Sequence, residues 1–180
     1  MGKLYNEIDD RMAGWLRRQP MFFVATAPTA GGHVNVSPKG LDETFAILDP
    51  TTVAYLDLGG SGAETIAHIR QNARITLMFC AFEGPARIVR LYGRGEPLFP
   101  GEPGYGKLRS AFADYRERNI IRVSVERIAD SCGFGVPEMT LVGQRSRLIE
   151  WADARTDDDL AAYRAEKNRV SIDGLPAIDV

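Results

Sequence analysis

The chain has 180 residues, 44% of them hydrophobic and 26% charged, with a formal net charge of −2. That length suits one domain, residues 1–180, with a core of its own, and the charge balance lacks the basic face or tail of a nucleic-acid binder. No apolar stretch approaches the roughly 20 residues that cross a bilayer, and the N-terminus has no secretory apolar run. Asn6 stands where a myristoylation motif needs Ser or Thr. The expectation is a cytoplasmic protein that binds neither nucleic acid nor membrane. Cys80 and Cys132 lie far apart in sequence, so neither a zinc ribbon nor a disulfide framework is expected.

Leu4, Ile8, Met12 and Leu16 recur every fourth residue and predict an amphipathic helix over 3–18, ended by Pro20. Residues 21–27 (MFFVATA) form a strand-type apolar run, and 33–37 alternate as the return strand of a hairpin. Asp49-Pro50 marks a turn between strands at 45–48 and 52–57. Ala63, Ile66, Ala67 and Ile69 mark one face of a helix over 62–71. Strands at 74–82 and 86–95 flank Glu83-Gly84-Pro85, and 99–105 is a Pro/Gly loop. A helix is predicted over 107–117, and Ile121, Val123 and Val125 begin a half-buried strand that can run to Cys132. Two helices follow, over 147–154 and 157–167, the second opened by Thr156-Asp157-Asp158-Asp159 as a capping box. The ending, SIDGLP, is a non-helical surface tail. Six or seven strands joined by short turns, with helices at the ends and as one insertion, give an α+β fold with an antiparallel sandwich or barrel at its centre.

The stretch 53–79 is strand, Gly/Ser loop, helix, strand. Unpaired amide groups and the positive end of the helix dipole make such a loop attractive to an anion, phosphate above all. Ser61-Gly62-Ala63-Glu64 equally fits an S-x-x-E capping box. The two readings conflict, because a carboxylate at Glu64 occupies the end that would receive phosphate unless it turns away. His68, one turn on, reads as a surface histidine or a partner for Glu64.

Asn35-Val36-Ser37-Pro38-Lys39-Gly40 is a strand end followed by a Pro-Lys-Gly turn, or a docking edge whose Lys39 meets the same anion. Arg87 and Arg90, three apart on a strand, face opposite sides. One of them needs a buried partner, either an anionic ligand or an internal carboxylate. Gly93-Arg94-Gly95 is no dinucleotide fingerprint, since Pro97 stands where its helix would run. With only His33 and His68 and no G-x-S-x-G or H-E-x-x-H, hydrolase triads and histidine metal centres have little to work with. Gly133-Phe134-Gly135 is a loop whose aromatic either packs in a turn or covers a ring system.

Taken in order, N-V-S-P-K-G, the Gly/Ser loop, the helix ETIAHIRQN and the strands ARITLMF and ARIVRLYGRGEP resemble the pyridoxamine 5'-phosphate oxidase-like family of FMN-binding split β-barrels. The match runs over 21–97 and continues loosely through CGFGVP and SIDGLP, a combination that looks like one uncharacterised subgroup. The resemblance implies an antiparallel six- to seven-stranded split barrel with flanking helices, and a homodimer with two FMN molecules at its interface. It places Asn35, Val36 and Ser37 along the isoalloxazine edge and Lys39, Ser61, Gly62 and Thr65 at the phosphate. Arg87 or Arg90 would project toward the flavin. Type members carry R-x-V-L-L-K, a Ser-Arg-Lys cluster at the helix start and a C-terminal Arg/His motif. Here those places read H-V-N-V-S-P-K, G-S-G-A-E-T and SIDGLPAIDV, which argues against pyridoxamine 5'-phosphate as substrate. The resemblance therefore implies an FMN-dependent oxidoreductase of unassigned substrate and catalytic residues. The alternative is a flavin-, deazaflavin- or haem-binding module without turnover.

Overall fold

A computed structural model describes residues 2–179. Its elements are β1 (Leu4–Tyr5), α1 (Asp10–Arg17), β2 (Met21–Thr26), β3 (Asn35–Gly40), β4 (Phe45–Asp49), β5 (Thr52–Asp57), α2 (Glu64–Asn72), β6 (Arg74–Cys80), β7 (Ile88–Leu98), α3 (Tyr105–Arg109), β8 (Asn119–Ser131), α4 (Arg147–Asp153) and α5 (Asp157–Lys167). The sheet runs β3-β2-β6-β7-β8-β5-β4, with β1 on β8, and every pairing is antiparallel. β3 and β4 remain unpaired edges, so this is the split barrel of an α+β fold. No helix among the described residues is long and apolar enough to cross a membrane.

Pleating sorts the two faces. One cross-strand row, Ser37–Val24–Leu77–Leu91–Ile128, points inward, and the row Lys39–Phe22–Phe79–Val89–Asp130 lies beside it. Inside, Phe22, Phe45, Tyr55 and Phe79 meet with ring centroids 5.0–5.6 Å apart, and Ile66 and Ile69 of α2 close over the same core. A smaller cluster, Ala54, Leu56, Leu98, Tyr105 and Ile120, fills the other side of β5 and β8. The residues of β5 after Thr52 are all buried, as expected of a strand covered on both faces.

Three expected elements differ. The predicted helix over 3–18 begins only at Asp10, because the Asp9 carboxylate caps Met12 N–H at 2.7 Å. Ahead of that cap, Asp130 accepts from Lys3 N–H and the Tyr5 hydroxyl and draws this stretch into strand pairing. The helix over 107–117 shrinks to α3. Arg109 donates to the carbonyls of Phe112 and Tyr115 and pairs with Glu117, which folds the chain back on itself. β3 continues through Pro38 to Gly40 instead of turning there. Proline is tolerated because β3 is an edge strand.

The Thr156 capping box forms. The tail folds more than a surface tail would, with Ser171, Ala177 and Ile178 buried.

Candidate functional site

Asn35, Ser37, Lys39, Ser61, Gly62 and Thr65 lie where the inner side of β3 faces the start of α2 and the end of β5, whereas Val36, Arg87 and Arg90 do not join them. Asn35 Nδ2 donates to Thr26 Oγ1 at 3.2 Å and to Thr65 Oγ1 at 3.0 Å, while Ser37 Oγ donates to Asn35 Oδ1 at 2.9 Å. These side chains satisfy one another, so a ligand along β3 would meet its free backbone edge and not the Asn35 amide. Val36 points to the opposite, open face and is 62% exposed.

Lys39 Nζ reaches Asp57 Oδ1 at 3.1 Å, and Arg118 reaches Asp57 Oδ2 at 2.6 Å and the Gly62 carbonyl at 2.9 Å. Asp57 is buried. Burial pushes its carboxyl up, but the charges of Lys39 and Arg118 and their hydrogen bonds overcome that and hold it well below the usual carboxylate range. One carboxylate thus serves two cations, and the cluster keeps a net positive charge beside the glycine loop.

The loop itself is left open. Ala63, the residue that precedes α2, provides no side-chain cap, so the S-x-x-E box does not form. Ser61 is exposed, and Glu64 instead accepts from Ile172 N–H of the tail at 3.1 Å. Among the described residues, no amide N–H over 59–66 finds an acceptor. Gly59 takes φ +79, a backbone conformation that favours glycine. Uncapped amides facing a surplus cation fit a phosphate. The Glu64 carboxylate, held at the same helix end, opposes it.

His68 is fully buried, contrary to the surface reading, with Nδ1 3.0 Å from Thr26 Oγ1 and Nε2 without a partner. Burial lowers its pKa against the opposing pull of Glu64 and Asp173. It forms no hydrogen bond with Glu64.

Arg87 and Arg90 stand away from the Lys39 cluster. Arg87 pairs with Asp130, donates to the Tyr5 hydroxyl and lies 5.0 Å over Trp15. Arg90 donates to Ser131 Oγ. Phe134 is 85% exposed. Sequence reasoning missed Asp57, Arg118 and Asn168, whose Nδ2 donates to the Gly60 carbonyl at 2.9 Å. No group of His, Cys, Asp and Glu among the described residues can hold a metal ion.

The sequence pattern of the pyridoxamine 5'-phosphate oxidase family matches residues 8–132. The chain belongs to that family. It is 39% identical to the Aspergillus flavus pyridoxamine 5'-phosphate oxidase family protein ustO over 191 aligned positions, covering 97% of this chain and 77% of that one. Several solved structures share the fold. HupZ of Group A Streptococcus has a TM-score of 0.54 at 23% identity, over 69% of this chain and 99% of its own. An FAD-binding protein of Mesorhizobium loti has a TM-score of 0.51 at 15% identity, over 72% and 96%.

Proposed function

We propose that this chain is an FMN-binding flavoprotein that works as a homodimer and as an oxidoreductase on a small molecule. The observation that carries the reading is the run of acceptor-free amides at the uncapped start of α2, beside a Lys39–Asp57–Arg118 cluster with charge to spare. Membership of the family, and FAD binding by a protein of the same fold, support a flavin as the phosphate's owner.

In this reading Lys39 and the amides of Ser61 and Gly62 hold the phosphate. Thr65 acts indirectly, through Asn35. The Asn35–Thr26–His68 bonds fix the inner side of β3, so that its outer edge, at Val36 and Ser37, is stiff enough to orient the ring. Bound FMN would supply the hydride or electron transfer, and the chain's own part is to bind, orient and exclude water.

The absorbance spectrum of the purified protein, with and without added FMN, tests this. Flavin bands, bleached anaerobically by NADH or NADPH, are expected. A Soret band would point to a haem module instead, and a colourless protein that takes up no FMN would sink the proposal.

A further inference from the structure

Residues 133–180 lie beyond the family-matched segment, and part of them builds a second wall beside the glycine loop. α4 and α5 bring Trp151 and Tyr163 edge to face, with ring centroids 4.9 Å apart. Together with Gly60, Leu148, Arg147 and the opposing carboxylate of Glu150 they line a groove of about 590 Å³. A smaller cavity of about 20 Å³, bounded by the same Gly60, Trp151 and Tyr163 and by Arg164 and Asn168, adjoins it. That cavity has room for one hydroxyl- or water-sized group.

Two features of this cavity are not explained by the fold. Asn168 is 1% exposed, and while its Nδ2 holds the Gly60 carbonyl, its Oδ1 has no partner. A buried acceptor that no protein group serves is costly unless something donates to it. Arg164 donates to the Glu117 carbonyl and takes part in none of the ion pairs among the described residues. Burial, then the charge of Arg118, lowers its pKa against the opposing pull of the Glu117 carboxylate. Surplus positive charge therefore lies on two sides of the glycine loop, at Lys39–Arg118 and at Arg164. A Cβ built on Gly60 would meet nothing within 4 Å, so the backbone between them is open. One phosphate at the start of α2 answers only the first side.

We propose that the groove between α4, α5 and the glycine loop is a nucleotide subsite that takes an adenosine phosphate. The phosphate lies over Gly60 toward Arg164, a ribose hydroxyl donates to Asn168 Oδ1, and the base packs against Trp151 and Tyr163. Aromatic side chains accept a base by its π-face, and guanidinium groups accept its phosphate. This deepens the flavin reading and rests on it for the phosphate at the start of α2. The adenylate belongs either to the flavin itself, as FAD, or to a separate nucleotide that docks beside bound FMN.

Titration with ADP, read by isothermal calorimetry in every variant and, where Trp151 is kept, also by its fluorescence in a Trp15→Phe background, tests the groove with and without flavin. FMN and FAD affinities are measured in parallel. Saturable quenching is expected, and Arg164→Gln and Trp151→Leu should each weaken ADP binding by about tenfold while leaving FMN affinity within about twofold. FAD binding tighter than FMN, with the difference erased in both variants, assigns the adenylate to the cofactor. Equal FAD and FMN affinities with ADP binding to FMN-loaded protein assign it to a separate nucleotide. The proposal is overturned if ADP does not quench at millimolar concentration and FAD binds no tighter than FMN, or if neither variant weakens ADP. Failure to bind FMN at all would refute the flavin reading instead, and the ADP titration of flavin-free protein would still decide the groove.

Discussion

Asp57 is tolerable in the interior only because two cations reach it, and that dependence is measurable. Replacing Asp57 with Asn leaves Arg118, itself 5% exposed, as a buried charge without a counter-charge. The expected cost is about 3–5 kcal/mol in urea unfolding. Its pH dependence follows from the direction of the shift. The carboxyl titrates lower in the fold than in the unfolded chain. Its contribution is therefore complete above the unfolded value of about 3.9 and drains away as pH falls toward the folded value. Wild type should lose stability below about pH 4 more steeply than Asp57→Asn, and parallel acid limbs would refute the assignment. Lys39→Ala is the complementary change. Arg118 still pairs Asp57, so the fold should survive, while FMN affinity falls about tenfold or more with the loss of a charge-assisted contact. Full affinity in that variant would remove Lys39 from the phosphate site.

At the scale of elements, the start of α2 is a contest between phosphate and the Glu64 carboxylate. Glu64→Gln keeps an oxygen for Ile172 N–H but removes the negative charge from the helix end. That should raise FMN affinity by roughly two- to fivefold, the usual worth of a charge at a helix terminus. A decrease would mean that the tail's grip on Glu64 matters more than its charge. This helix was readable from its apolar spacing, as were most of the strands from their runs and turns, whereas the site was only half readable. Lys39, Ser61 and Gly62 stood out as a cation near a Gly/Ser loop. Asp57 carried a signal that went unused: it ends a strand run buried throughout after Thr52, and a carboxylate in such a run must be paired. His68 gave no comparable cue, because its partner Thr26 lies 42 residues away. The Glu64–Ile172 and Asn168–Gly60 contacts each span 108 residues, beyond any local pattern. The capping box misled because Ser61 and Glu64 have the right spacing but different tertiary partners, whereas at Thr156 nothing distant competes and the box forms.

At the scale of the whole molecule, the outer sheet face is where large apolar side chains stay exposed. Two rows cross it: Val36–Ala25–Thr76–Tyr92, and Pro38–Phe23–Met78–Arg90. Val34, Val36 and Tyr92 are 71%, 62% and 36% exposed. An apolar sheet face of this kind is usually an interface, and a self-complementary two-fold contact is the commonest closed solution. It would also bring Arg90 and the free edge of β3 into the contact, so a ring lying along Val36 and Ser37 would be enclosed by the second copy. The expected result is a dimer by light scattering at micromolar concentration. Val36→Asp should convert it to monomer, because a carboxylate from each copy would be buried in the contact without a partner. Since Val36 is exposed in the protomer, the unfolding free energy of the monomer itself should shift by no more than about 0.5 kcal/mol. FMN affinity should fall together with the dimer, because half of the enclosing wall is lost. A wild-type monomer would refute the interface, and a Val36→Asp monomer with undiminished FMN affinity would show that each protomer holds its flavin alone.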